Sequence, residues 1–141
     1  MTIPFSKIVL NHVFNVADEL QNEDLISLVK KVLSRISKYH DIYEMGFDYI
    51  RDGWTFTGEA GEVTEDGEII LDPKQILPLP EEVAMALIAH EFAHFYLEHY
   101  LKPADGLKEE YEADDQARAW GFNVDEFRKV CGEPILGKHQ M

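Results

Sequence analysis

The chain has 141 residues, 27 of them acidic and 13 basic, for a formal net charge of −14. That balance argues against nucleic acid and anionic membranes as partners, because both need clustered Lys and Arg and no such cluster occurs. Hydrophobic residues at 45% and charged residues at 28% fit a globular protein whose length builds one core, so a single domain over 1–141 is expected.

Met1 to Phe14 has a single Lys7 and neither a sustained apolar core nor a small-residue cleavage site, so no secretory leader is expected. Phe5, Ile8, Val9, Val13, Val16 and Leu20 recur at helical spacing. A second helix is marked by Asn22 as its cap, by Glu23 and Asp24 in its first turn, and by a stripe from Leu25 through Leu28, Val29, Val32, Leu33 and Ile36 to Tyr39. These N-terminal helices occupy 1–40. His12 and His40 fall on or beside them and read as ordinary surface or core histidines.

Ile42 to Asp52 is aromatic and fits either a strand or irregular chain. A small β module is expected over 53–72. Trp54 to Thr57 have β propensity, and Asp66-Gly67 predicts a hairpin turn between Gly61–Glu65 and Glu68–Asp72. Asp72-Pro73 closes the second arm. Pro78 and Pro80 then break the chain, and Pro80 with Glu81 and Glu82 suits a helix start. The next helix is expected from about residue 80 to Leu101, with Pro103 as its stop. Another follows over about 108–120, ended by Gly121, and Asn123 suits the cap of a last short helix over Asp125 to Val130. The lone Cys131 cannot close an intramolecular disulfide, and the longest strictly apolar run, Val83 to Ala89, is far short of a membrane span. A cytosolic location is expected.

The helix over 80–101 carries His90-Glu91-Phe92-Ala93-His94. Residues four apart share a helix face, about 6 Å apart along the axis. His90 and His94 can therefore aim both imidazoles at one point, as a tetrahedral Zn²⁺ requires. Glu91 lies about 100° round the helix, placed to act as general base on a metal-bound water rather than as a ligand. The plainer alternative is a pair of core histidines bonded to backbone carbonyls. Against it stands the apolar setting, where two unpaired imidazoles are costly to bury.

A catalytic zinc site needs a third protein ligand and one open position. Glu98 fails on distance, because its Cα lies about 12 Å along the axis from that of His90. His99, on a continuing helix, points elsewhere. The next helix supplies a better source. Folding back on the motif helix, it presents Glu110, Ala113, Asp114 and Ala117 on one face, and the two alanines permit close approach. On this geometry Glu110 binds the metal and Asp114 accepts the outer N–H of a ligand histidine. Glu112 points about 200° away and is expected in solvent; Glu109 flanks the cleft.

His90-Glu91-Phe92-Ala93-His94 followed by Glu110-Tyr111-Glu112-Ala113-Asp114 resembles the gluzincin metallopeptidases, over Gly58 to Gly121. The E-x-x-A-D pattern looks like that of the HtpX-type and CAAX-prenyl endopeptidases; the soluble ImmA/IrrE group is similar but usually has Asn where Asp114 stands. The absence of membrane helices and the small size match the soluble minigluzincins. The resemblance implies a zincin-like α+β fold, with a small antiparallel or mixed β module packed on the active-site helix. It also implies one Zn²⁺ on His90, His94 and Glu110, with Glu91 as base and proton shuttle. A strand ahead of the active helix rims the cleft in these families and pairs with substrate, and Glu68, Ile69, Ile70 and Leu71 occupy that place here. The family's oxyanion-stabilising Tyr, His or Arg has five candidates: Tyr43, Tyr49, Tyr96, Tyr111 and His139.

The expected function is zinc-dependent hydrolysis of a peptide or protein substrate. The rival is a catalytically silent zinc-fold protein that acts by binding. A latent form, in which the 132–141 tail places His139 at the open metal position, is a variant of it. Hydrolysis of a non-peptide amide is a third reading, in which the rim strand has no use.

Overall fold

The computed structural model describes residues 21–40, 50–99 and 106–133. The helix expected over 5–20 with His12, most of the 42–52 stretch with Tyr43 and Tyr49, and the tail with His139 lie outside them. The described chain is α+β, a three-stranded mixed sheet packed against five helices. In chain order these are α1 (Glu23–Ile36), β1 (Ile50–Asp52), β2 (Gly61–Val63), β3 (Ile69–Leu71), α2 (Pro73–Ile76), α3 (Glu81–Tyr96), α4 (Gly106–Ala119) and α5 (Val124–Cys131).

Helix α1 forms where its stripe predicts. The Asn22 side chain accepts from Leu25 N at 3.0 Å, and Leu25, Val29, Val32, Leu33 and Ile36 are buried. Asp52 Oδ2 accepts from Asn22 N at 2.6 Å, which pins the end of β1 to the start of this helix. Helix α3 is different in kind. Every residue from Val83 to Ala93 is buried, the signature of a helix apolar all round and surrounded by protein. It packs on α1, α4 and α5 and against β2 and β3. The centre of the fold is therefore also the helix that carries both motif histidines.

The sheet order is β1-β3-β2. β3 runs parallel to β1, with Ile50 opposite Ile69, and antiparallel to β2, with Gly61 opposite Leu71. The hairpin joining β2 to β3 has a three-residue loop rather than the tight Asp66-Gly67 turn expected. Thr64 O accepts from Gly67 N and Thr64 N donates to Glu68 O, both at 2.9 Å, with Gly67 left-handed at φ 82°. This is a turn closed by a bulge, a common hairpin form. Glu65 consequently sits in the loop instead of the strand.

Two expectations are corrected. Trp54 to Thr57 form no strand. Both edges of β3 are taken by β1 and β2, and this β-prone segment folds as an irregular loop held by Thr55 Oγ1 donating to Glu59 O at 2.7 Å. Trp54 and Phe56 stay exposed. The motif helix also ends at Tyr96, not near Leu101. Leu97 caps it, and Glu98, a non-glycine at φ 60°, turns the chain back.

Asp72 closes the second hairpin arm as expected, with Pro73 opening α2. Its Oδ1 accepts from Lys74 N at 3.0 Å and its Oδ2 from the Gln75 side chain at 2.8 Å. Gly121 ends α4 with Phe122 N donating to Ala117 O at 3.1 Å, and Asn123 caps α5 by accepting from Glu126 N at 3.1 Å. Among the described residues no helix is long and apolar enough to cross a membrane. Asp72→Ala removes a helix cap, and we expect a loss of about 1 kcal/mol in urea unfolding.

Candidate metal centre

His90 and His94 lie one turn apart on α3, and Glu110 on the second turn of α4 meets them. Each offers one donor atom to a shared point, forming a group that could hold a metal ion. The Nε2 atoms of the two histidines are 3.0 Å apart. Glu110 Oε1 is 3.3 Å from His90 Nε2, and its Oε2 is 2.7 Å from His94 Nε2. Donors around a tetrahedral ion with bonds of about 2.0–2.1 Å are separated by roughly 3.3–3.4 Å. The three donors thus stand near ligand spacing, and two imidazoles with a carboxylate suit Zn²⁺ chemically.

Alanines explain why α4 comes so close. Ala113 and Ala117 are fully buried on the face of α4 that also bears Glu110 and Asp114. Asp114 Oδ1 lies 2.8 Å from His90 Nδ1, so the outer N–H of that imidazole has its acceptor. The carboxylate of Asp114 is in turn clamped by Arg128 from α5, with Nε to Oδ2 at 2.8 Å and Nη2 to Oδ1 at 2.9 Å. A bidentate guanidinium fixes a carboxylate's plane as well as its charge.

The electrostatics follow from burial of this set. Burial opposes a charge on His90, but hydrogen bonds to Asp114 and Glu110, with the charges of Glu91 and Glu110, win and raise its pKa to about 10. Burial and the neighbouring His90 charge push His94 down to about 4. Glu110 is opposed by burial yet held far below the ordinary carboxylate range by bonds to both histidines. Asp114 is likewise lowered, against its burial, by His90 and Arg128. One positive charge therefore sits within the donor set, where a divalent ion would supply two.

Glu91 faces a cleft of about 380 Å³ that His90 and Glu110 also line, with Leu87 and Phe127 as its apolar wall. Burial raises the Glu91 carboxyl to about 8; the His90 charge opposes this, and Glu110, Glu59 and Glu62 add to it. The side chain lies directly against Gly61 of β2. A Cβ at that position would meet Glu91 Cγ at 2.6 Å, which no real contact permits, so only glycine lets the strand pass here. Neither Gly61 nor Arg128 was expected from the sequence. A glycine in a hairpin arm reads as punctuation, and nothing in spacing relates Arg128 to Asp114.

Other expectations fare differently. Glu98 is exposed and not among the donors, and it lies past the end of α3 rather than on it. His99 does not point elsewhere. The early end of α3 returns it, buried, to His94, with the two Nδ1 atoms 2.8 Å apart. Glu112 is exposed as expected, and its Oε1 also accepts from His99 Nε2 at 3.0 Å. Glu109 is buried near the same ring. Tyr96 packs on His40 and Trp120, and Tyr111 lines an outer groove with Asp115, so neither reaches the cleft.

The strand Glu68–Leu71 does not offer the open edge expected of it. β3 is central, paired on both sides over Ile69, Ile70 and Leu71, and Glu68 bonds Thr64 and pairs with Arg51 at 3.2 Å. The strand beside Glu91 is β2, and among the described residues its outer edge has no partner strand. Comparison of the chain with protein-family models, curated proteins and solved structures finds no match in any of the three.

Because His90 holds its extra proton up to about pH 10, an incoming ion must displace it. Zinc affinity is therefore expected to rise with pH through the neutral range and to level off only near the pKa of His90. Binding should release about one proton or more per ion at neutral pH. Calorimetry in buffers of differing ionisation enthalpy measures this directly.

Proposed function

We propose that the chain is a zinc-dependent peptide hydrolase. His90, His94 and Glu110 would hold one Zn²⁺, and Glu91 would serve as the general base. The observation that carries this reading is the convergence of two imidazoles and a carboxylate from separate helices on one point, at the wall of a cleft that also receives a buried, proton-retaining Glu91. A protein with only core histidines has no need to gather three donors and a fourth ionisable group in this way.

When bound, the ion lowers the pKa of water towards about 7 and polarises a carbonyl, chemistry that no side chain in the cleft supplies. The remaining work falls to this chain's residues. Asp114, fixed by Arg128, holds the Nδ1 proton of His90 and keeps its Nε2 turned towards the other donors. Glu91, at the cleft surface, takes a proton from the attacking water at its carboxylate and returns it to the leaving amine. A pKa near neutrality suits a group that must do both.

Binding of an extended peptide is supported by β2 rather than by β3. Ala60, Glu62 and Thr64 turn their backbone groups towards β3, as Asp72 N donating to Ala60 O at 2.8 Å and Thr64 N donating to Glu68 O at 2.9 Å require. The alternation leaves the N–H and C=O of Gly61 and Val63 on the outer edge, with Gly61 at the cleft beside Glu91. A peptide added there gains main-chain hydrogen bonds with little demand on sequence.

Three variants separate the roles. Glu110→Ala is expected to lose stoichiometric zinc, measured by metal analysis of purified protein. Glu91→Gln should keep the zinc and lose about 10²–10⁴-fold or more in turnover of a peptide library. Zinc retained with no turnover by the parent protein would instead favour a partner-binding role for the same site. Gly61→Ala should also keep the zinc, because it touches none of the three donors. It is expected to lower turnover at least about tenfold by displacing Glu91, since misplacement by 1 Å costs about 10².

A further inference from the structure

We propose that His99, backed by Glu112, is the positioning residue for His94, so that a three-membered chain holds the His94 ring with Nε2 turned towards the ion. The inference rests on the reading of His94 as a ligand and extends it to residues outside the donor set.

The chain is continuous in the structure. His94 Nδ1 lies 2.8 Å from His99 Nδ1, and His99 Nε2 lies 3.0 Å from Glu112 Oε1. The His99 side chain is 6% exposed, so water does not replace these partners. Its place depends on the backbone reversal at Glu98, whose φ of 60° is uncommon for a residue with a side chain. A strained residue that returns an imidazole to the flank of another imidazole is hard to explain by packing alone.

The direction of the hydrogen bonds follows from chemistry. A carboxylate only accepts, so His99 Nε2 bears a hydrogen towards Glu112. In neutral His99 the Nδ1 is then a bare acceptor, because an imidazole carries one hydrogen on one nitrogen. With an ion on His94 Nε2, the single hydrogen between the two Nδ1 atoms therefore belongs to His94. That assignment is the one ligation needs, because it leaves the His94 Nε2 lone pair for the ion in place of the hydrogen that Nε2 gives Glu110 Oε2, 2.7 Å away, when no ion is bound. Glu109 Oε2 stands 3.9 Å from His99 Nδ1, beyond hydrogen-bond reach, and does not compete for that nitrogen. His90 and His94 are thus held by different devices, a clamped carboxylate for the first and an imidazole backed by a carboxylate for the second.

The test combines zinc affinity with histidine tautomers. Loss of a group that orients a ligand typically costs about 10–100-fold in metal affinity. We expect His99→Ala to weaken zinc by about that factor in chelator competition. His99→Asn, whose Oδ1 can accept from His94 Nδ1, should recover most of the loss, and Glu112→Gln, at a half-exposed position that does not threaten folding, should show a smaller weakening in the same direction. Nitrogen NMR of the zinc-loaded full-length parent should find the hydrogen on Nε2 of His99 and on Nδ1 of His94. Zinc affinity unchanged in both His99→Ala and Glu112→Gln would overturn the proposal, as would a hydrogen on Nδ1 of His99. If the parent binds no zinc, the reading of the metal site fails and this proposal with it, whereas zinc held with parental affinity by both variants overturns the proposal alone.

Discussion

A fully surrounded helix cannot carry polar side chains unless each finds a partner, and that constraint organises this molecule. α3 is buried on every side between Val83 and Ala93, yet His90 and Glu91 interrupt it and His94 follows. Burying an imidazole or carboxyl without a partner costs several kcal/mol on scales where nothing compensates, of the order of a domain's whole stability margin. The elements around α3 are placed so as to meet that demand. α4 brings Glu110 and Asp114, α5 brings Arg128, the reversed C-terminus of α3 brings His99, and β2 presents a bare glycine to Glu91.

The partners also form layers. Donors that could take an ion lie inside, the groups that hold their outer nitrogens come next, and charged residues at partly exposed positions close the set. Arg128 is the outermost support on one flank and Glu112 on the other, of opposite sign. That difference suits what each holds: a carboxylate is steadied by a cation, and an imidazole N–H by an anion.

Much of this was legible in the sequence, and the remainder shows where local pattern stops. The His90, His94 and Glu110 grouping could be read because helical periodicity fixes relative direction over four residues, and because alanines at 113 and 117 mark a face made for contact. Helix caps at Asn22 and Asn123 were readable for the same local reason. The place of His99 was not, because it depends on Glu98 adopting a backbone conformation that its side chain does not favour. The strand order was also hidden. β propensity marks Trp54 to Thr57 as strongly as Ile69 to Leu71, but only partner availability decides which pairs, and Ile50–Asp52 takes the edge first. With β1 on that edge, β3 becomes interior and its neighbour β2 inherits the open side.

The contact between Gly61 and Glu91 couples two things usually thought of separately. The strand edge and the carboxyl share one van der Waals surface with no slack between them. A force applied along the outer edge of β2, whatever the guest, is transmitted to Glu91 without any intervening lever. Under the proposed function, recognition and reactivity would be one mechanical part, and a guest that seats badly on the strand would disturb the very group that acts on it.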